Sequence, residues 1–336
     1  MPGCARREIV RQGEAGIYHC WARCVRRAWL MGNDPYTGKD YTHRREWVID
    51  RLQLLVRCFA IDVGSFAILS NHLHLVLRAN PRLVKRWGDQ EVARRWLQVY
   101  PGKRVIDGRW IEPTQQQVEE LCRDKAKLKK IRKRLANISW FMASLSEYIA
   151  RRANHEDKVT GRFWQGRFEC RELTNERALL VCGAYVDLNQ IRAGEVLTPA
   201  DCCYSSIGLR LQAGQEGVSW LAPLTLSETD LGDQSCTTGQ RASDKGLLPI
   251  SLDAYVDILT WTAQQTDLPA DRPIPAATEQ TLENLQIVSA QWLDTVQHFP
   301  DRFRRVVGSA AELAQRAASM GRRWLHGVRR AAQVFR

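Results

Sequence analysis

The sequence has no long apolar segment, no Cys-x-x-Cys pair and no internal repeat. No apolar run approaches the roughly 18 residues that cross a bilayer, which argues against a membrane-spanning helix. The first residues, MPGCARREIVRQGEAG, contain no apolar stretch of signal-peptide length. We therefore expect a cytoplasmic protein without a membrane partner.

Acidic residues are also in deficit, with 37 Asp and Glu against 49 Lys and Arg and a net charge of +12. A surplus of this size predicts a polyanionic partner, with nucleic acid as the first candidate. The ten cysteines are predicted to be thiols that pack as small apolar residues, because disulfides rarely persist in the cytosol. Without a Cys-x-x-Cys pair, a structural zinc site is not expected.

Two histidines stand one residue apart in residues 67–78, AILSNHLHLVLR. Because side chains alternate along a strand, most of the leucines share one face, whereas His72 and His74 share the other. The pair has two interpretations. It is either a solvated edge of a half-exposed strand or two ligands of one metal ion, since imidazole is the commonest metal ligand.

The order of predicted elements indicates an α+β fold. A strand, a helix and the histidine strand occupy the first 78 residues, and a helix, a Gly- and Arg-rich strand and a second strong helix follow the insertion. The predicted divisions are a main domain over 1–205 with an insertion at about 79–136, a linker-like region over 206–248, and a mainly helical, basic C-terminal extension over 249–336.

The second strong helix carries Tyr185 and, one turn later, Asn189. If this helix crosses the face that carries His72 and His74, then two imidazoles, an amide and a phenol converge. Mg²⁺ or Mn²⁺ accepts such ligands with open positions, and a phosphodiester oxygen can fill one of them. The phenol can then attack phosphorus and form a covalent phosphotyrosine.

Three segments in this order, SNHLHLVL, GRFWQGRFECREL and AYVDLNQIRAGEV, resemble the single-tyrosine HUH transposases. They are most similar to the branch called REP-associated tyrosine transposases. The resemblance covers roughly residues 15–205. The sequence departs from the family pattern at Gln190, where the family usually has proline, and residues 206–336 match nothing in the family.

The resemblance implies a ferredoxin-like antiparallel sheet with helices on one face, the HUH nuclease fold. It implies that Tyr185 is the nucleophile and that His72, His74 and Asn189 bind Mg²⁺ or Mn²⁺. The implied activity is that of a transposase-like single-strand endonuclease and strand transferase. Such an enzyme recognises single-stranded or hairpin DNA and cleaves it through a 5′-phosphotyrosine. The resemblance leaves a monomer and a homodimer open.

Two basic segments are candidates for DNA contact. Alternating basic and aromatic residues before the second helix suit single-strand binding, although an ordinary hairpin explains them equally well. The run KAKLKKIRKR is either a solvated helix face or a nucleic-acid contact. The candidate DNA-binding residues are Arg162, Trp164, Gln165, Arg167, Arg192, Lys129, Lys130, Arg132 and Lys133.

Two other functions remain open at this stage. The first is a non-catalytic protein that binds hairpin DNA or RNA with the same fold. The second is a zinc hydrolase that uses the two histidines and either Cys20 or Cys24. Tyr148 is the competing candidate nucleophile, and its neighbour one turn later is Arg152, a poor metal ligand.

Overall fold

The computed structural model of the chain describes residues 6–102, 105–106, 109–110, 112–226, 236, 238–265 and 273–335. Its strands are β1 (Gly16–Arg23), β2 (Ile61–Ile68), β3 (His72–Ala79), β4 (Val105–Ile106), β5 (Arg109–Trp110), β6 (Glu169–Leu173) and β7 (Val306–Val307). Its α-helices are α1 (Arg6–Ile9), α2 (His43–Cys58), α3 (Pro81–Arg86), α4 (Asp89–Val99), α5 (Gln115–Arg123), α6 (Lys125–Arg134), α7 (Ile138–Asp157), α8 (Glu176–Asp187), α9 (Asn189–Arg192), α10 (Ser206–Ala213), α11 (Leu252–Gln264), α12 (Ala276–Asn284), α13 (Trp292–Gln297), α14 (Phe299–Arg302), α15 (Ala310–Ser319) and α16 (Val328–Val334).

A five-stranded sheet with the order β2-β3-β1-β6-β7 forms the centre of the molecule. The pairs β2–β3, β3–β1 and β1–β6 are antiparallel. The edge strand β7 is parallel to β6, with Val306 opposite Glu172 and Val307 opposite Leu173. The predicted α+β class is confirmed, and the C-terminal extension adds a parallel strand that the sequence did not predict.

Helices cover both faces of this sheet. The first face packs against α2 and α7, and the helices of the insertion extend the same core. The second face packs against α8, α11 and α13 in a separate core that includes the C-terminal helices. The prediction of helices on one face, which the resemblance implied, is therefore wrong, because α8 and helices of the C-terminal extension pack on the face of β3 that carries the buried His74 and Val76.

Much of the region predicted as a linker belongs to these two cores. Residues 206–213 form α10, and the guanidinium of Arg210 is buried and donates to the carbonyls of Gly64 (3.0 Å) and Ala222 (2.7 Å). Trp220 and Leu221 are buried as well. The described part of this region is therefore not a linker, because isolated apolar residues that stand among Gly, Ser and Gln pack into the cores.

The cysteines are thiols, as the sequence predicts. All nine cysteines in the described ranges are free thiols, and six of them are buried. Within the insertion, β4 and β5 pair antiparallel, with Val105 opposite Trp110 and Ile106 opposite Arg109. Of the helices in the described ranges, none has both the length and the apolar character needed to cross a membrane.

Glu195 fixes the turn between β2 and β3 relative to α2 and α9. Its Oε1 accepts from the backbone amide of Ser70 (3.0 Å), and its two oxygens accept from the guanidinium of Arg45 at 2.9 and 3.0 Å. Its Oε2 also accepts from the side-chain amide of Gln190 (3.3 Å). Burial by itself would raise the pKa of Glu195, but the bonds and charge of Arg45 outweigh it, so the pKa is lowered.

We predict that Glu195→Gln lowers the free energy of unfolding by about 2 kcal/mol at pH 7, because it leaves the mostly buried Arg45 without its anion. Since the folded pKa of Glu195 is depressed, its contribution is present above the unfolded value of about 4.3 and is lost as the pH falls through the folded pKa. Urea denaturation of both proteins from pH 7 to pH 4 measures the effect, and the difference between them is expected to shrink toward the acid end.

Glu147→Gln is the matched control. Glu147 pairs with Arg151 at 2.6 Å on the surface, where both side chains are more than half exposed. Such a pair contributes little. An equal loss of stability in the two variants would contradict the role of Glu195 as a buried connection between three elements.

Candidate functional site

The two histidines of the motif point from β3 into the second core. Antiparallel pairing places Arg23 opposite His72 and Trp21 opposite His74 on the same face. The imidazole centroids of His72 and His74 lie 5.0 Å apart, with the rings nearly perpendicular. The structure therefore brings the pair together as the alternation predicts, but in a buried place and not at a solvated edge.

A partner engages the Nδ1 atom of each of these histidines. His72 Nδ1 lies 2.6 Å from Oδ1 of Asn71, and His74 Nδ1 lies 2.9 Å from Nε2 of His19. His19 is 1% exposed and stacks on His74 with ring centroids 5.1 Å apart. The Nε2 atoms of His72 and His74 are the nitrogens that these contacts leave for another ligand.

The histidines are neutral at physiological pH. Burial, with a smaller contribution from the charge of Arg23, lowers the pKa of His72 to about 4. Burial also lowers the pKa of His74 and of His19 well below the ordinary histidine value. A neutral imidazole is the form that binds metal ions.

Helix α8 brings Tyr185 against the same histidines. The Tyr185 ring lies edge-on to His74, with centroids 5.6 Å apart, and 5.9 Å from the ring of His19. Phe299 packs on its other side at 5.1 Å, and the guanidinium of Arg192 lies 4.9 Å from the ring centroid. Tyr185 is 7% exposed, and it lines an open cavity of about 720 Å³ together with His19 and His74.

Asn189 completes the cluster from the helix that follows. Its Nδ2 donates to the carbonyl of Tyr185 (3.4 Å), and its side chain, as a polar neighbour of His72, raises the pKa of that imidazole against the larger effect of burial. The helical path continues through α9 as far as Arg192, so glutamine at position 190 does not end it. Gln190 instead donates to Glu195.

These residues suit a divalent metal only as a set of two imidazoles and one amide. In the part of the chain that the structure describes, no group of three His, Cys, Asp or Glu side chains is placed to hold a metal ion. A set of two nitrogens and one amide oxygen leaves coordination positions open, and it suits Mn²⁺ or Mg²⁺ better than a closed zinc site.

Two of the sequence alternatives face the wrong side of the sheet. Cys20 and Cys24 are buried in the core formed with α2 and α7, opposite the face that carries His72 and His74. Tyr148 also packs against that core, and its hydroxyl accepts from Arg152 (3.1 Å). The structure therefore excludes a zinc site built from the histidines and either cysteine, and it removes Tyr148 from the neighbourhood of the histidines.

The segment before α8 contains both exposed and buried residues. Arg162, Gln165 and Arg167 are exposed, so they stay candidates for DNA contact. Trp164 is buried, and its indole donates to the carbonyl of Ser146 (2.9 Å). This indole is committed to packing against α7, which leaves no free face for stacking on a base.

The basic run lies on α6, beside the core on the other side of the sheet from Tyr185. Lys129, Lys130 and Lys133 are exposed there. Arg132 donates to the carbonyls of Val84 (2.6 Å) and Trp87 (2.5 Å) and to Asp89 (2.9 Å). Its donors therefore fix the insertion. The three lysines remain predicted DNA contacts that are remote from the candidate site.

Arg192 also has internal partners. Its guanidinium donates to the carbonyls of Val296 (3.4 Å) and Gln297 (2.5 Å). It therefore connects the Tyr185 ring to α13. A DNA contact at this residue stays a prediction, and the contacts that the structure gives it place the positive charge beside the phenol.

Three further residues belong to this cluster although the sequence motifs did not indicate them: His19, Arg171 and Phe299. His19 alternates with Trp21 and Arg23 on a strand that precedes the histidine strand, and this alternation was a usable signal. Arg171 lies over the rings of Trp21 (4.6 Å) and Phe299 (4.9 Å). Phe299 belongs to the C-terminal extension, and no local pattern connects it to Tyr185.

Known proteins similar to this chain are few and distant. No family model matches the chain, and no curated protein matches it. One solved structure, a REP-associated tyrosine transposase bound to a REP hairpin, is similar with 13% identity and a TM-score of 0.36. The match covers 62% of this chain and 86% of that one. A likeness of this size establishes neither a shared fold nor a shared chemistry.

Proposed function

We propose that the protein is a metal-dependent, transposase-like single-strand endonuclease and strand transferase that acts on hairpin DNA. The observation that carries this proposal is the juxtaposition of His72, His74 and Tyr185. The ring centroid of His74 lies 5.0 Å from that of His72 and 5.6 Å from that of Tyr185. An imidazole pair next to a single phenol, in a basic protein, suits cleavage of a phosphodiester by tyrosine.

The sheet topology supports an HUH nuclease fold of the ferredoxin-like type. Strand, helix, strand, strand, helix, strand is the order of β1, α2, β2, β3, α7 and β6. The four strands pair as β2-β3-β1-β6, all antiparallel. This is the split βαβ arrangement, and the proposal places the catalytic helix α8 on the face opposite α2 and α7.

In the proposed mechanism, His72, His74 and Asn189 would hold Mg²⁺ or Mn²⁺, which supplies a positive charge that polarises the scissile phosphodiester. Asn71 and His19 hold the Nδ1 atoms and thereby orient the two imidazoles. Phe299 fixes the plane of the Tyr185 ring. Arg192 places a positive charge beside this ring, where negative charge develops on the phenol oxygen during attack.

The Tyr185 hydroxyl oxygen attacks phosphorus, and the bond between phosphorus and the 3′ oxygen breaks. The products are a 5′-phosphotyrosine on Tyr185 and a free 3′-hydroxyl, and the proton that the phenol releases balances the one that the 3′ oxygen takes up. Because the covalent ester keeps the energy of the phosphodiester, a second 3′-hydroxyl can reverse the step and join strands without ATP. A homodimer and a cytoplasmic location stay predictions.

One observation favours a second function, the binding of hairpin DNA or RNA without cleavage. Tyr185 is only 7% exposed, and Phe299 and Arg192 cover its ring. A nucleophile must reach phosphorus directly, so a permanently covered phenol would leave the protein able to bind but unable to cut.

We predict that the protein forms a covalent adduct with single-stranded hairpin DNA from the flanks of its own gene in Mn²⁺ or Mg²⁺. The adduct is expected to disappear with EDTA and in Tyr185→Phe, because each removes a group that the reaction requires. A denaturing gel measures it. Tyr148→Phe is the matched control and should keep the adduct, since that tyrosine lies across the sheet. Tight binding without any adduct would instead support the non-catalytic function.

We also predict that His19→Phe weakens Mn²⁺ binding by about 10- to 100-fold, because His74 loses the partner that orients its ring. Calorimetric titration of the protein with Mn²⁺ measures the affinity without any DNA. His43→Phe is the control, since His43 is exposed and pairs with Glu156 at 2.7 Å. Unchanged affinity in His19→Phe would show that the contact between His19 and His74 does not orient a metal ligand.

A further inference from the structure

The C-terminal extension forms one wall of the cavity at Tyr185. Pro300, Arg304 and Arg305 line the same 720 Å³ cavity as His74 and Tyr185. These three residues belong to the region 206–336, which lies outside the three segments that resemble the transposase family. The cavity with these residues is called the arginine groove below.

Backbone contacts fix this wall to the sheet. The amide of Glu172 in β6 donates to the carbonyl of Arg305 (2.8 Å), and Val306 and Val307 continue as β7. The guanidinium of Arg171, which is 4% exposed, donates to the carbonyl of Phe303 (2.9 Å). The backbone at Arg304 and Arg305 is therefore fixed by its pairing with β6.

The groove is strongly basic. Glu169 is the one carboxylate among its lining residues. Among the described residues, Nε of the buried Arg171 has no hydrogen-bond acceptor, so a donor is left without a partner next to the groove. The arginines that line the groove are Arg23, Arg167, Arg171, Arg304 and Arg305.

Aromatic rings lie between these charges. Trp21 and Phe168 line the groove. Phe168 is buried, whereas Trp21 is partly exposed and is the ring available to a base. A basic groove with aromatic rings is the combination that binds single strands, because the phosphates meet the arginines while the unpaired bases stack. A duplex offers no free base faces for such rings.

We propose that the arginine groove binds the phosphodiester backbone of single-stranded DNA next to Tyr185, and that Arg304 and Arg305 of the C-terminal extension are required for this binding. The inference rests on the proposed function, since it names the contacts that bring a single strand to the nucleophile. It assigns a role to the extension, which becomes a part of the DNA-binding site. Binding through phosphates does not depend on the metal or on cleavage, so it can be measured separately.

The test is the binding of a fluorescein-labelled single-stranded DNA oligonucleotide in EDTA, followed by anisotropy over a range of salt concentrations. The double variant Arg304→Gln with Arg305→Gln is expected to bind about tenfold more weakly. The slope of log affinity against log salt should fall by about 1.4, since each lost phosphate contact contributes about 0.7 for a single strand. Arg304→Lys with Arg305→Lys should restore most of the slope, because lysine keeps the charge.

Arg323→Gln with Arg329→Gln is the matched control. Both residues are exposed arginines of the same extension, and neither lines the groove. The control should bind as the wild type does, and far-UV circular dichroism checks that each variant is folded. Equal binding by the groove variant and the control would overturn the proposal, as would tighter binding of an RNA oligonucleotide of the same sequence or a wild type that binds no single strand.

The two proposals fail in distinguishable ways. An adduct that forms normally in the Arg304 and Arg305 variant, with unchanged anisotropy, would overturn the groove and leave the strand-transferase function intact. If the wild type binds a single strand but forms no adduct, and the variant loses that binding, the result would support the groove and contradict the proposed strand-transferase activity.

Discussion

The two-residue alternation of β3 is the constraint on which the rest of the site depends. It separates a leucine face, which packs against α2 and α7, from a face that carries His72 and His74. Because α8 then covers the second face, His74 is buried and His72 is partly buried. Their Nδ1 atoms find protein partners at His19 and Asn71. A register slip of one residue would bury the leucines under α8 and turn both histidines toward the wrong core.

The insertion and the C-terminal extension pack on opposite faces of the sheet. The helices of the insertion enlarge the core beneath the leucine face, where no candidate catalytic group points. The C-terminal extension enlarges the core on the histidine face, and it brings Phe299 and two arginines to the candidate nucleophile. The insertion therefore packs away from the candidate site, whereas the extension supplies side chains to it.

The sequence predicts the local part of this arrangement well. His72, His74, Tyr185 and Asn189 stand on three elements, β3, α8 and α9. The periodicity of these elements fixes which side chains share a face, and the structure brings all four residues together. The resemblance implied helices on one face of the sheet only, and it gave no indication that the C-terminal extension contributes α11 and α13 to the core on the second face. The contact of Phe299 with Tyr185 could not be predicted, since it depends on how a distant segment returns to the sheet as β7, and no spacing records that return.

The central claim is that His72, His74 and Asn189 form a metal site within reach of Tyr185. Anomalous diffraction from crystals soaked in Mn²⁺ tests this claim most directly. The account predicts one strong anomalous peak bonded to both Nε2 atoms and to the amide oxygen of Asn189, beside the phenol of Tyr185. A well-occupied peak elsewhere, or no peak at a concentration that saturates Mn²⁺ binding in solution, would contradict it.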